Sequence, residues 1–100
     1  MSSTMHDRDG FIWLDGRLVS WRDTQVHVLT HALHYGSAVF EGERLYDGRV
    51  FRLSAHSQRL INSARLLDYE IPWTRVEIEA ATRAVVRANG LAQAYIRPIA

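Results

Sequence analysis

One hundred residues with 47% hydrophobic and 23% charged side chains suit a single globular domain, large enough for one core and too short for two. Twelve basic side chains against eleven acidic ones leave a formal net charge of +1, which excludes the strong field that recruits nucleic acid or an anionic membrane. With no cysteine there is neither a disulfide framework nor a thiolate metal site, and a reducing, cytoplasmic setting is expected.

The first ten residues, M-S-S-T-M-H-D-R-D-G, lack the apolar middle of a secretion signal. No apolar run approaches the roughly 20 residues of a membrane-spanning helix. Phe11 to Leu14, Asp15-Gly16 and Arg17 to Ser20 read as a β-hairpin, because Asp-Gly supplies the positive φ of a two-residue turn. Trp21-Arg22-Asp23 is a bend, and Gln25 to Leu29 is expected to be a further strand. His31 to Gly36 is a tight turn or single helical turn closed by the glycine. Ala38 to Tyr46 alternates as a strand, Asp47-Gly48 turns, and Val50 to Leu53 returns.

Two helices follow. Ser54 is placed to cap the first, which runs to about Asp68 with Leu60, Ala64 and Leu67 on one face and ends before Ile71-Pro72. Thr74 with Glu77 forms a capping box for the second. There Ile78, Ala81, Val85 and Ala88 line the apolar stripe, Glu79 and Arg83 pair on the other side, and Asn89-Gly90 stops the helix. Tyr95 to Ile99 returns as a strand. The predicted fold class is α+β, an antiparallel sheet with two helices packed on it.

Strand alternation puts Phe40, Gly42, Arg44 and Tyr46 on one face and Val39, Glu41, Glu43 and Leu45 on the other. A mid-strand glycine marks either a bulge or a place where something approaches the backbone closely. Tyr95 and Arg97 share a face, where a hydroxyl and a planar guanidinium can hold carboxylates; a surface arginine paired with a glutamate fits the same spacing. Arg59, near the start of the first helix, suits a phosphate, but taken alone it reads first as a solvated arginine, since lone arginines are common in first turns. His27, His31 and His34 carry no acidic companion, so they read as turn-holding hydrogen bonders and no metal is expected. Trp13, Trp21 and Trp73 read as packing residues.

In this order W-x-D (Trp21 to Asp23), V-H-V (Val26 to Val28), T-H-A-L-H-Y-G (Thr30 to Gly36), V-F-E-G (Val39 to Gly42), V-F-R-L (Val50 to Leu53), H-x-Q-R-L (His56 to Leu60) and Y-I-R-P (Tyr95 to Pro98) closely resemble the N-terminal part of branched-chain amino acid aminotransferases, class IV enzymes of fold type IV. The resemblance runs from Ile12 onward. It implies the small N-terminal α+β domain of such an enzyme, pyridoxal 5'-phosphate as cofactor, and exchange of an amino group between leucine, isoleucine or valine and 2-oxoglutarate. By the same resemblance Arg59 holds the cofactor phosphate, and Phe40 and Gly42 form wall and floor of the side-chain pocket. Tyr95 binds the α-carboxylate and Arg97 the distal carboxylate of glutamate. Tyr35 reaches into the neighbouring subunit's pocket, which implies a homodimer or larger assembly.

All twelve basic residues are arginine. Family members form a Schiff base with a lysine of a larger domain. The 100 residues are therefore expected to be the smaller domain only, with no catalytic residue and no transaminase activity of their own. Two other class IV types, D-amino acid aminotransferases and aminodeoxychorismate lyases, share the architecture, and a non-catalytic module binding an anionic metabolite is the alternative from another class.

Overall fold

The computed structural model describes residues 5–100. Strands β1 (Phe11–Leu14) and β2 (Arg17–Ser20) form the expected hairpin, closed by Asp15 at φ 49° and Gly16 at φ 101°. A 3-10 turn over Trp21–Asp23 takes the place of the bend. The short helix α1 (His31–Tyr35) ends at Gly36, whose left-handed φ of 62° lets its N–H reach the carbonyl of Ala32. Strands β3 (Glu43–Tyr46) and β4 (Arg49–Val50) follow. Helices α2 (Leu53–Leu66) and α3 (Arg75–Asn89) and strand β5 (Ala94–Ile96) complete the order.

The sheet divides into two antiparallel pieces: the β1–β2 hairpin, and three strands in the order β4–β3–β5. Helix α3 packs against α2 on one side and β1 on the other. The core is Leu45 from β3, Leu53, Leu60, Ile61 and Ala64 from α2, and Ile78 from α3. Wrapping the fully buried Leu45 in this cluster stabilises the chain by about 2 kcal/mol.

Four expectations need correcting. Gln25 to Leu29 is not a strand: Val26, Val28 and Leu29 are exposed, and no strand pairs with them among the described residues. Local bonds occupy that backbone instead, with the His27 carbonyl accepting the Thr30 N–H at 2.9 Å and the Thr30 hydroxyl at 2.6 Å. The return strand is only Arg49–Val50, because Arg52 adopts a left-handed φ of 54° and turns the chain into α2. Ser54 accordingly lies inside the first turn and is not its cap; its hydroxyl donates to Glu79 at 3.0 Å. Leu67 sits past the end of α2 and is exposed, while Ser57 and Ile61 join Leu60 and Ala64 on the buried face. The expected Glu79–Arg83 pair does form, at 3.7 Å, and the buried Glu79 collects Ser54 and Arg75 as well.

The capping box of α3 forms as expected, with the Glu77 N–H on the Thr74 hydroxyl and the Glu77 carboxylate on the Thr74 N–H. At its other end Asn89 does more than stop the helix. Its amide oxygen accepts the Phe11 N–H at 2.9 Å and its amide nitrogen donates to the Phe11 carbonyl at 3.0 Å, fastening the first hairpin to α3. Trp13 on β1 meets Trp73 edge-on at 5.0 Å, a second tie between hairpin and helices. Asn89→Ala should therefore lower stability by about 1–2 kcal/mol in denaturant unfolding. Hydrogen exchange should show the Phe11 amide losing its protection first.

Candidate functional site

The alternation of residues 38–46 survives in the structure, although only Glu43–Tyr46 is regular strand. Val39 and Ala100 exchange both backbone hydrogen bonds, at 2.8 and 2.9 Å, and Phe40 bridges Ile99. Further along, Glu43 faces Ile96 in the ladder of β3 and β5. The register thus passes through Gly42 without an inserted residue, so there is no bulge. What interrupts the ladder is Pro98: its carbonyl accepts the Glu41 N–H at 3.0 Å, but it has no N–H to return.

On the open face this register assembles one cluster. Arg97 donates from Nε and Nη2 to the Tyr95 hydroxyl oxygen, at 2.9 and 2.7 Å. The Arg97 guanidinium also lies over the Phe40 ring, 4.0 Å from its centroid. A Cβ placed on Gly42 would come within 2.8 Å of the Tyr95 hydroxyl oxygen, so the residue approaching this backbone is Tyr95 itself. With two N–H groups filling its lone pairs, the tyrosine hydroxyl keeps its proton free to donate outward. Arg97 retains unspent N–H groups on the same side. An exposed apolar ring, a hydroxyl and a guanidinium with unspent donors are gathered in one cluster, a set that suits a ligand with an apolar part and a carboxylate.

Arg59 is not in contact with that cluster. Its side chain, 67% exposed, grips Glu41 from the opposite face of the same strand: Nε lies 3.0 and 2.8 Å from the two carboxylate oxygens and Nη2 lies 2.7 Å from the first. His56 adds an Nδ1 contact to that oxygen at 2.7 Å. Because a carboxylate only accepts, His56 carries its proton on Nδ1 here. Arg59 holds the Glu41 carboxyl below its usual pKa by hydrogen bonding, against the opposing effect of burial, with His56 assisting. Glu41 is the residue between Phe40 and Gly42, so the arginine is tied to the cluster's own strand from behind. Three guanidinium N–H groups stay unspent on its outer edge, a donor set that fits a phosphate.

Tyr35 stands apart, 75% exposed, its ring against His31 at 4.5 Å. The three histidines hold the turn. His27 Nδ1 accepts the Leu29 N–H at 3.0 Å, His34 Nε2 meets the Val28 carbonyl at 2.7 Å, and His31 Nδ1 meets the Ser37 hydroxyl at 2.6 Å.

Sequence reasoning passed over two carboxylates. The alternation places Glu41 and Glu43 on the face opposite Phe40 without giving either a role, and Glu43 is the more unusual group. Glu43 is 1% exposed, and neither carboxyl oxygen has a hydrogen-bond partner; the buried Ser57 hydroxyl is also unpartnered. Burial pushes the Glu43 carboxyl up to about 7, His56 pulling it down and Glu41 pushing it further up. The available signal was two acids alternating with Val39 and Leu45 on a face that had to be inside.

Residues 38–100 match the amino-transferase class IV family. The branched-chain-amino-acid aminotransferase of Pseudomonas aeruginosa is 57% identical over 100 residues, covering 96% of this chain and 33% of that protein. The Escherichia coli branched-chain amino acid aminotransferase superposes with a TM-score of 0.87 at 45% identity, over 92% of this chain and 32% of that one. A further branched-chain amino acid aminotransferase, from T.th. and complexed with N-(5'-phosphopyridoxyl)-L-glutamate, gives a TM-score of 0.86 at 45% identity, over 92% and 33%. The chain spans about a third of the length of these relatives. No helix among the described residues is long and apolar enough to cross a membrane.

The buried acids predict a pH dependence of definite sign. Glu43 binds its proton more tightly folded than unfolded, so its contribution to stability is greatest below about 4.5 and is lost as pH rises through about 7. Glu41 acts oppositely, losing its contribution as pH falls through its lowered folded pKa. Glu43→Gln should raise stability at pH 8 by about 1 kcal/mol and flatten the decline between pH 5 and pH 7 in thermal melts. An unchanged slope would show that Glu43 does not carry it.

Proposed function

The chain belongs to the class IV amino-transferases, and we propose that it forms the smaller, substrate-facing domain of a branched-chain amino acid aminotransferase using pyridoxal 5'-phosphate. The proposal rests on one observation above all: Arg97, lying over Phe40, donates twice to a Tyr95 hydroxyl that sits against Gly42. Such an enzyme must receive an aliphatic side chain in one half-reaction and a carboxylate-bearing one in the other. Phe40 and the flat backbone at Gly42 offer the apolar wall and floor. Tyr95 offers a hydroxyl proton to the α-carboxylate, and Arg97 offers its guanidinium edge to the distal carboxylate of glutamate or 2-oxoglutarate.

Arg59 is assigned the cofactor phosphate, supported by its exposed outer edge and by a relative whose structure carries a phosphopyridoxyl group. When bound, the cofactor supplies the electron sink that amino-group transfer needs. No lysine occurs among these 100 residues. The Schiff-base lysine is accordingly assigned to a larger domain, and the chain alone should not transaminate. Tyr35, exposed on its helical turn, is assigned to the pocket of a neighbouring subunit in a homodimer. The absence of cysteine suits a cytoplasmic enzyme.

A hybrid in which this chain replaces the matching third of the Pseudomonas aeruginosa relative tests the reading. It should exchange the amino group between leucine and 2-oxoglutarate and leave D-alanine untouched; turnover of D-alanine instead would assign the chain to the D-amino acid type. Arg97→Ala in the hybrid should raise KM for 2-oxoglutarate roughly 100-fold, the loss of a charge-assisted pair, and KM for leucine far less. Gly42→Ala should impair both substrates, because the new methyl displaces the Tyr95 hydroxyl.

A further inference from the structure

We propose that Glu41 is a positioning residue for the cofactor phosphate: from the buried face of the site strand it fixes one edge of the Arg59 guanidinium and thereby turns the other edge outward. The inference rests on the assignment of Arg59 to the phosphate made above, and deepens it.

The geometry is that of a mount. Glu41 is 4% exposed, so its carboxylate is immobilised by packing while the arginine it holds reaches solvent. One carboxylate oxygen takes Arg59 Nε at 3.0 Å, Arg59 Nη2 at 2.7 Å and His56 Nδ1 at 2.7 Å; the other takes Arg59 Nε at 2.8 Å. These contacts fill the Nε side of the planar fork and fix both the plane and the direction of the group. His56, on the same helix three residues earlier, stops the carboxylate from rotating. An arginine on a flexible stem otherwise surrenders its rotamer freedom when a ligand arrives; here that ordering is complete beforehand. A lysine in place of Arg59 could not do this, since a single ammonium cannot hold a planar carboxylate edge-on and present a second edge elsewhere.

Glu41 also carries negative charge near the place assigned to a phosphate. If it acted through charge alone, removing that charge would tighten phosphate binding. A mount predicts the opposite, so the two roles differ in sign.

The decisive measurement is equilibrium binding of pyridoxal 5'-phosphate and of pyridoxal, which lacks the phosphate, to the hybrid enzyme and its variants. Glu41→Gln should weaken the phosphorylated ligand roughly tenfold and leave pyridoxal within about twofold. In an Arg59→Ala background the same change should add nothing. His56→Gln, which leaves the carboxylate in place and removes one support, should give a phosphate-specific loss of about threefold; it decides the matter should Glu41→Gln not fold. Tighter binding of pyridoxal 5'-phosphate by Glu41→Gln overturns the inference, as does equal weakening of both ligands or an undiminished effect without Arg59. If Arg59→Ala alone leaves pyridoxal 5'-phosphate affinity unchanged, the assignment of Arg59 falls and this inference with it. If Arg59→Ala weakens binding and Glu41→Gln does not, only the inference falls.

Discussion

The antiparallel register between residues 39–46 and 94–100 determines what every side chain at this site can do. Val39 faces Ala100, Phe40 faces Ile99 and Glu43 faces Ile96, so odd and even positions are sorted without slippage across the whole segment. A shift by one residue would exchange the faces, sending Phe40 and Arg44 into the core and Glu41 and Leu45 to solvent. Leu45 with α2 resists such a shift, because its burial at 0% exposure would be lost. Pro98 weakens the ladder locally yet does not let it slip, since pairing resumes on both sides of it. The open cluster and the buried carboxylates are therefore one arrangement seen from two sides of a single strand.

Those two sides treat charge differently. On the open face the charged and polar groups satisfy one another: Arg97 bonds the Tyr95 hydroxyl and covers Phe40, and the two rings remain half-exposed. On the inner face Glu41 is compensated by Arg59 and His56, and Glu43, two residues on, has no hydrogen-bond partner and only the electrostatic pull of His56. Burial without partners favours the neutral carboxyl, which explains why two acids on one face have pKa values displaced in opposite directions. Structures retain a buried unpaired acid at some loss of stability, and this one lies on the inner face of the site strand itself.

Much of this was legible in the residues. The Asp-Gly turns, the glycine-closed helical turn, the Thr74 capping box and the alternation around Gly42 each depend on local chemistry, and each formed. Readings failed where the outcome depended on a partner distant in sequence. Gln25 to Leu29 alternates correctly but pairs with no strand among the described residues, and His27 and Thr30 bond locally instead. Ser54 has the chemistry of a cap, but Arg52 turns the chain earlier and Ser54 is left to Glu79, 25 positions away. Asn89 reads as a stop, while its tie to Phe11 spans 78 positions. The same limit applies to the site. Spacing put Phe40, Gly42, Tyr95 and Arg97 on compatible faces, but only the register shows that they meet, and nothing local shows Glu41 beneath Arg59.

The exclusive use of arginine takes on meaning against this background. At Arg97 and Arg59 one guanidinium makes two kinds of contact at once. Arg97 uses its edge toward Tyr95 and its face toward Phe40; Arg59 uses its inner edge toward Glu41 and keeps its outer edge for solvent. An ammonium group has neither edge nor face, so lysine at either position would satisfy one contact by abandoning the other. A planar cation held along one side is a donor array of fixed direction, and direction is what separates a site for carboxylates and phosphates from a patch of positive charge. The fold thus fixes the direction in which these two donor arrays point.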